Sequence, residues 1–459
     1  MKGALREWAR TQSDQYEVDR LLGYLNRNEA SLGRVQILDA FPTAPCLSLD
    51  IATPQWAWQG DRVKYGPVPH AMLSMKGVTL KIGLARTSLG TVDDVRVVKG
   101  WLEQALLTTG LGSRTSAGYG RATQVNALTQ PTRSLPLHSN HSFELWSQGV
   151  YGADSQQREF RPAAVRGMLR YWFRAIALGL YSPDHCKTLE HKLFGTLEPK
   201  AVHGSVNIEV QFTEDNAALE NENVPHKISG TITLEANTQE HLALMEQVLK
   251  LAIHLGGVGR GARRPLHWND NRLRGCYWQP EKKDRLDCNS RVWKDFLKSL
   301  IESFKAVFPF DATRVLSAGD PGSPGHRCQD AFNANAAILL VPSPKMKHPE
   351  QVERWAKEGS FESVRGTALE FLYTSNPTYK GVNRQKQGNE FVGGSLGTPS
   401  FVWIASNNLN IPKQAYQVVT VFGTDHSPQQ GKGRKQFVEA LQNEVERNQF
   451  EVISVWNSQ

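Results

Sequence analysis

The sequence predicts an α+β protein of tandem ferredoxin-like, RRM-like units with glycine-rich loops and helical insertions. Three observations predict it. A short pattern, basic-Gly-x-Leu-Arg-x-Trp-x-Arg, occurs at residues 2–10 and again at 166–174. A basic glycine-rich stretch follows each copy, at 110–121 and at 257–265. Between pattern and stretch, each copy places apolar residues first at alternate positions and then at helical spacing. Two motifs that recur in one order define two homologous units in tandem.

In the first unit, Val78, Leu80, Ile82 and Leu84 alternate as in a half-buried strand. A helix follows from about Thr91, with Asp94 placed for a capping pair and Val95, Val98, Leu102 and Ala105 on one face. Gly110 can take the left-handed conformation that ends it. In the second unit Val206, Ile208, Val210 and Phe212 alternate, then Ile228, Ile232 and Leu234. A helix from about Thr238 carries Leu242, Met245, Leu249, Ala252 and Leu255 and stops at Gly256-Gly257. With a strand before its first helix, each unit reads βαββαβ, the layout of RNA-recognition domains.

The expected boundaries are 1–125, 126–270 and 271–459. The first unit begins at its first helix, so its opening strand is expected to come from another segment, another chain or an upstream start. Beyond 270, Val292, Phe296, Leu300 and Phe304 mark an amphipathic helix, and 317–325 is a linker candidate. Strands are expected at 337–341, 401–404 and 417–422, and a helix at 436–449. Lys380, Arg384 and Lys386 precede a glycine-rich run at 393–399. A further ferredoxin-like unit with helical insertions fits this order.

Composition narrows the function. The 459 residues carry a formal net charge of +8, and 40% are hydrophobic, which supports real cores and a mild attraction to polyanions. No apolar run approaches the ~18 residues of a membrane span, and residues 1–12 lack a signal-peptide core, so a cytoplasmic protein is expected. The five cysteines are scattered without a C-x-x-C pair, as in a reducing compartment. Neither Cys276 with Cys288 nor His326 with Cys328 has the short spacing of a zinc site, so no metal is expected. His70, His138, His141 and His254 stand unpaired, and no P-loop or catalytic triad is present. No cofactor and no enzyme is indicated.

The repeated motifs have the chemistry of RNA binding. Glycine exposes backbone N–H groups to phosphate and permits turns with positive φ. The candidates in the first unit are Lys2, Arg6, Gly110, Gly112, Arg114, Gly118, Tyr119, Gly120 and Arg121. In the second they are Arg161, Arg166, Arg170, Arg174, Gly257, Gly259, Arg260, Arg263 and Arg264. Arg166, Arg170 and Arg174 share one helical face, and Trp172 and Tyr119 offer rings for base stacking. A structural role competes at each: Leu5, Trp8 and Leu169 as core, the glycines as helix caps, the arginines as ion-paired.

Arg161, Pro162, Arg166, Gly167, Leu169 and Arg170, with the basic glycine-rich loop, resemble the RAMP superfamily of CRISPR effector subunits. The first half resembles the sixth subunit of the type III-B (Cmr) complex. From about Ser142, Gly152-Ala153-Asp154, the 161–174 helix, Phe194-Gly195 and the 256–264 loop resemble its first subunit, so the chain resembles a fusion of the two. The resemblance implies a noncatalytic crRNA-binding backbone subunit of a type III RNA-guided effector, at the end holding the 3′ part of the guide. It implies crRNA, target RNA, other RAMP backbone subunits and small helical subunits as partners. Relatives also include endoribonucleases that process crRNA or slice target RNA, some with an aspartate in the loop before the first helix. Asp154 stands there and is the one catalytic candidate, against a reading as a loop cap.

Overall fold

A computed structural model gives the structure of the chain. It describes residues 1–26, 29–52, 56–59, 62–65, 70–75, 77–112, 115, 119–126, 128–129, 135–151, 158–196, 202–214, 223–309, 317, 319–323, 325–326, 328–383, 385–395, 399–425, 433–447 and 453–456.

The first region packs helix on helix. α1 (Lys2–Ala9) and α2 (Gln15–Leu22) bury Leu5, Ala9, Val18, Leu21 and Leu22 against Val98, Leu102 and Ala105 of α3 (Val92–Thr108). Thr91 and Asp94 form the expected capping box on α3, and Asp94 also takes Arg20 of α2 at 2.9 Å. Around this core run short ladders: β1 (Val35–Ile37) with β6 (Leu84–Arg86), β2 (Leu47–Ala52) with β5 (His70–Met75), and β3 (Trp56–Gln59) with β4 (Arg62–Tyr65). The single strand expected at 78–84 is instead two, Leu80–Lys81 and Leu84–Arg86, paired with different partners on either side of Gly83. Among the described residues of 1–125 every sheet has two strands. The three helices bury each other's apolar faces, and Val35, with the partly buried Ile37 and Leu84, adds the β1–β6 ladder to the same core.

The second region has a four-stranded antiparallel sheet of β7 (Leu137–Ser147), β8 (Val206–Glu214), β9 (His226–Ala236) and β10 (Cys276–Gln279), in the order β8-β9-β7-β10. α4 (Pro162–Leu180) and α5 (Pro183–Phe194) connect β7 to β8, and α6 (Gln239–Leu255) leads from β9 toward β10. β10 lies past residue 270, beyond the expected boundary. α7 (Ser290–Val307) follows, on the expected apolar face.

The third region repeats the order. β11 (Ala336–Pro342), α8 (Glu362–Thr374), β12 (Val402–Asn407), β13 (Tyr416–Phe422), α9 (Arg434–Arg447) and β14 (Ile453–Trp456) form a sheet ordered β12-β13-β11-β14. Position by position, this is the strand order of the second region.

The two sheets share a helix layer. Phe143, Leu145, Ile208 and Ile232 of the first sheet and Ile338, Leu340, Trp403 and Phe422 of the second belong to one core with α4, α6 and α7. The other face of the second sheet, with Leu339, Val341, Ile404 and Val421, packs on α8 and α9 through Leu369, Leu372, Phe437 and Leu441. Trp172 of α4 sits between, 4.9 Å from the Trp403 ring and 6.1 Å from Phe332. The approach is close enough that a Cβ on Gly179 would stand 1.7 Å from the Phe332 carbonyl oxygen.

Candidate nucleic-acid interface

The loop after α6 turns on glycine. Gly259 and Gly261 have φ of +79° and +84°, and a Cβ at Gly257 would lie 1.7 Å from the Cys276 sulfur. Arg260 is exposed between Gly259 and Gly261, at the tip. Gly261 abuts the backbone of Gly275 and the Gln148 amide, so the tip stands beside the start of the segment leading from β7 to α4.

Arg263 and Arg264 turn inward, away from the role expected of them. Arg263 stacks 5.0 Å over the Trp403 ring and donates to the Ser400 carbonyl. Arg264 donates to the Val402 carbonyl at 2.5 Å and to the Ser400 hydroxyl at 2.9 Å. Burial lowers its guanidinium to about 10. A charge taken from water is held by fixed dipoles, so these half-buried residues fasten the loop to β12.

The helix motif departs from expectation in the same way. Arg174 (3% exposed) and Arg170 both bind the carboxylate of Glu190 on α5, which has no exposed surface; Arg174 does so at 2.5 and 2.7 Å. The Trp58 indole of β3 donates to the same carboxylate at 3.0 Å. Burial alone would raise the Glu190 carboxyl, but Arg174 and Arg170 reverse this and hold it at about 2. Arg166 donates to the Phe194 carbonyl at 2.8 Å, and burial lowers it to about 10. Arg161 pairs with Asp50 of β2 at 3.1 Å and with Glu159. Trp172 is 0% exposed and offers no stacking face. The shared face of Arg170 and Arg174 is real and looks onto Glu190; Arg174 is buried there, whereas Arg170 keeps 33% of its side chain exposed.

In the first loop, Gly110 has φ of +75° and bonds back to Ala105, while Leu111 donates to the Gly120 carbonyl at 2.9 Å. Gly120 (φ +73°) has no room for a side chain against Leu111, whereas Gly112 (φ +93°) faces open space. Tyr119, next to Gly120 in the chain, is half-buried. Arg121 pairs with Glu209 of β8 at 3.1 Å, which ties this loop to the first sheet. Lys2 is exposed, and Arg6 donates to the carbonyls of Leu22 and Gly23. Arg114, Gly118 and Asp154 lie outside the described residues.

Among the described residues no group of three or more His, Cys, Asp or Glu side chains is placed to hold a metal ion, and no helix is long and apolar enough to cross a membrane. The outward face of the first sheet carries Asn140, Ser142, Glu144, Gln211, Thr231 and Thr233, and its aromatic pair, Trp146 stacked on Tyr277 at 5.6 Å, is buried against Met346 and Trp355.

The antiparallel sheets, helices and glycine-rich loops define a mixed α+β protein with a RAMP-type segment: residues 148–264, from the end of β7 through Arg264, match the family model of the RAMP superfamily. The chain is similar to type III-B CRISPR subunits. Over 52 residues, 11% of this chain and 28% of the relative, it is 40% identical to the CRISPR system Cmr subunit Cmr1-2 of Pyrococcus furiosus. The matched stretch thus spans little more than a quarter of that relative. Among solved structures, Cmr1 from Pyrococcus furiosus in its apo form is 14% identical, with 70% of this chain and all of that chain covered and a TM-score of 0.38. A chain of the type III-B Cmr-beta complex bound to cognate target RNA and AMPPnP, with ssDNA present, is 10% identical, with 68% and 99% covered and a TM-score of 0.35.

Proposed function

We propose that the chain is a noncatalytic crRNA-binding backbone subunit of a type III CRISPR effector, at the end holding the 3′ part of the guide. In this reading residues 137–279 and 336–456 are two ferredoxin-like units, and crRNA, target RNA and neighbouring RAMP subunits are its partners. One observation carries it: the glycine turn inside the RAMP-matched segment holds Arg260 exposed at its tip, with Arg263 and Arg264 bonded behind it as a rigid mount. Gly112 and Tyr119 extend the same chemistry to the first loop. The polar outward face of the first sheet supports binding through loops and not through stacking on strands.

Phosphate contacts release counterions, so affinity for single-stranded RNA should fall by about 0.7 log units per contact per log unit of salt. Arg260→Ala should weaken binding and reduce that slope by about one contact with no change in thermal midpoint. A flat salt response in the wild type would overturn the reading. The purified chain should bind RNA in Mg²⁺ without cutting it. In an assembled effector, Asp154→Ala should leave cleavage elsewhere intact and remove at most one cut position; loss of every cut would make the chain an endoribonuclease.

A further inference from the structure

We infer that a second RNA contact surface is formed by the loop of residues 378–395 and the turn of residues 269–275, and that it takes the phosphodiester backbone of single-stranded RNA beyond the nucleotides held at Arg260. This rests on the RNA-binding reading above. The loop connects α8 to β12 and is built to a fixed shape. Its roots are Tyr379 and Val392, both buried with Phe437 and Leu369 in the outer core. Its strands cross at glycine: a Cβ on Gly393 would stand 2.0 Å from the Gly381 nitrogen, and one on Gly388 (φ +116°) 2.6 Å from the Gly381 oxygen. Val382 donates to the Gly394 carbonyl at 2.8 Å and Asn389 to that of Lys380 at 2.7 Å. A mere linker needs no such crossing. At the tip, Asn383 accepts from the Gln387 N–H at 3.0 Å, and Lys386 is exposed in a left-handed conformation, φ +60°.

The turn meets this loop through Asp270, which pairs with Arg274 at 3.0 Å and with Lys380 at 3.7 Å. Tyr373 lies between Arg365, at 4.9 Å, and Lys380, at 5.2 Å. Among their described residues the two segments carry Arg272, Arg274, Lys380 and Lys386 against Asp270 and Glu390. Arg384 lies outside the described residues. Both segments touch the Arg260 loop, the turn where Gly275 abuts Gly261, the other where the Ser400 hydroxyl joins the Val392 carbonyl to Arg264. The three segments are thus neighbours, with Arg260, Arg272 and Lys386 exposed on them. Arg272, Lys386 and the amides Asn271, Asn383 and Gln387 are exposed here beside Asp270 and Glu390, a polar set that suits a charged polymer backbone, whereas the core of a protein interface is enriched in aromatic residues.

The test uses the full chain with Lys380→Ala/Lys386→Ala, measured against labelled single-stranded RNAs of about 8 and about 30 nucleotides, the shorter within the span of a single binding module. The longer RNA should bind the double variant roughly tenfold more weakly, with a salt slope shallower by about 1.4, and the shorter RNA should bind unchanged. Arg260→Ala should weaken both. If the wild type binds the longer RNA and the double variant matches it in affinity and slope, this surface is refuted while the RNA reading stands. If the wild type binds neither RNA, both fall. In the unaltered chain, photocrosslinks from thiouridine-substituted RNA should map to 378–395 as well as to 256–264; crosslinks at 256–264 alone would also refute it.

Discussion

Glu190 gathers two guanidiniums and an indole N–H around one buried carboxylate. Glu190→Ala should cost about 3–5 kcal/mol, because Arg174 is left as an uncompensated buried charge; urea unfolding would measure it. None of this is legible from spacing. The i, i+4 arginines told which face they share, but the carboxylate that claims them is on α5 and the indole that closes the site is on β3. His254 makes a second residue-level prediction. Its Nδ1–H donates to the Lys250 carbonyl at 2.7 Å, its Nε2 accepts from the Leu286 N–H at 3.2 Å, and burial lowers it to about 4. Because the folded value lies below the unfolded one, stability is full above about pH 6.5 and is lost as pH falls toward 4. His254→Gln should flatten that part of a pH–stability profile.

Elements with local signals were the legible ones. The capping box of α3 stood in the sequence as Thr91 and Asp94 and stands in the structure. Thr91→Ala should cost about 1 kcal/mol, and Asp94→Ala more, since Asp94 also anchors Arg20; thermal unfolding orders the two. The alternation at 78–84 misled, because a period of two says that a segment is extended but not which strand pairs with it. In the glycine loop, conformational need was readable from Gly257, Gly259 and Gly261. The division of labour among its arginines was not, since it is set by Ser400 and Val402, far along the chain. Arg264→Ala should destabilise the protein by about 1.5–3 kcal/mol per lost charged hydrogen bond. Arg264→Lys should restore little, because an ammonium cannot reproduce the fork that spans Val402 and Ser400. Denaturant midpoints test both.

At the scale of the molecule, the repeat between the second and third regions was only partly visible. Strand and helix positions beyond 270 could be read, but the sharing of one helix layer by two sheets could not. A signal for it does exist: α4 buries Val165, Leu169, Tyr171, Trp172, Phe173 and Ile176, an apolar arc wider than one stripe, as befits a helix covered on two faces. Trp172→Ala should therefore cost about 3–5 kcal/mol and shift one cooperative transition, not the lower of two; calorimetry distinguishes these. The same layering sets an order of events at the ribosome. The face of α4 that receives Trp403 and Phe422 is made early in synthesis and stays uncovered until β12 and β13 have emerged, roughly ten seconds or more later at ordinary elongation rates. The nascent chain carries that sticky half-core throughout the interval, and its yield should depend on chaperones that shield it.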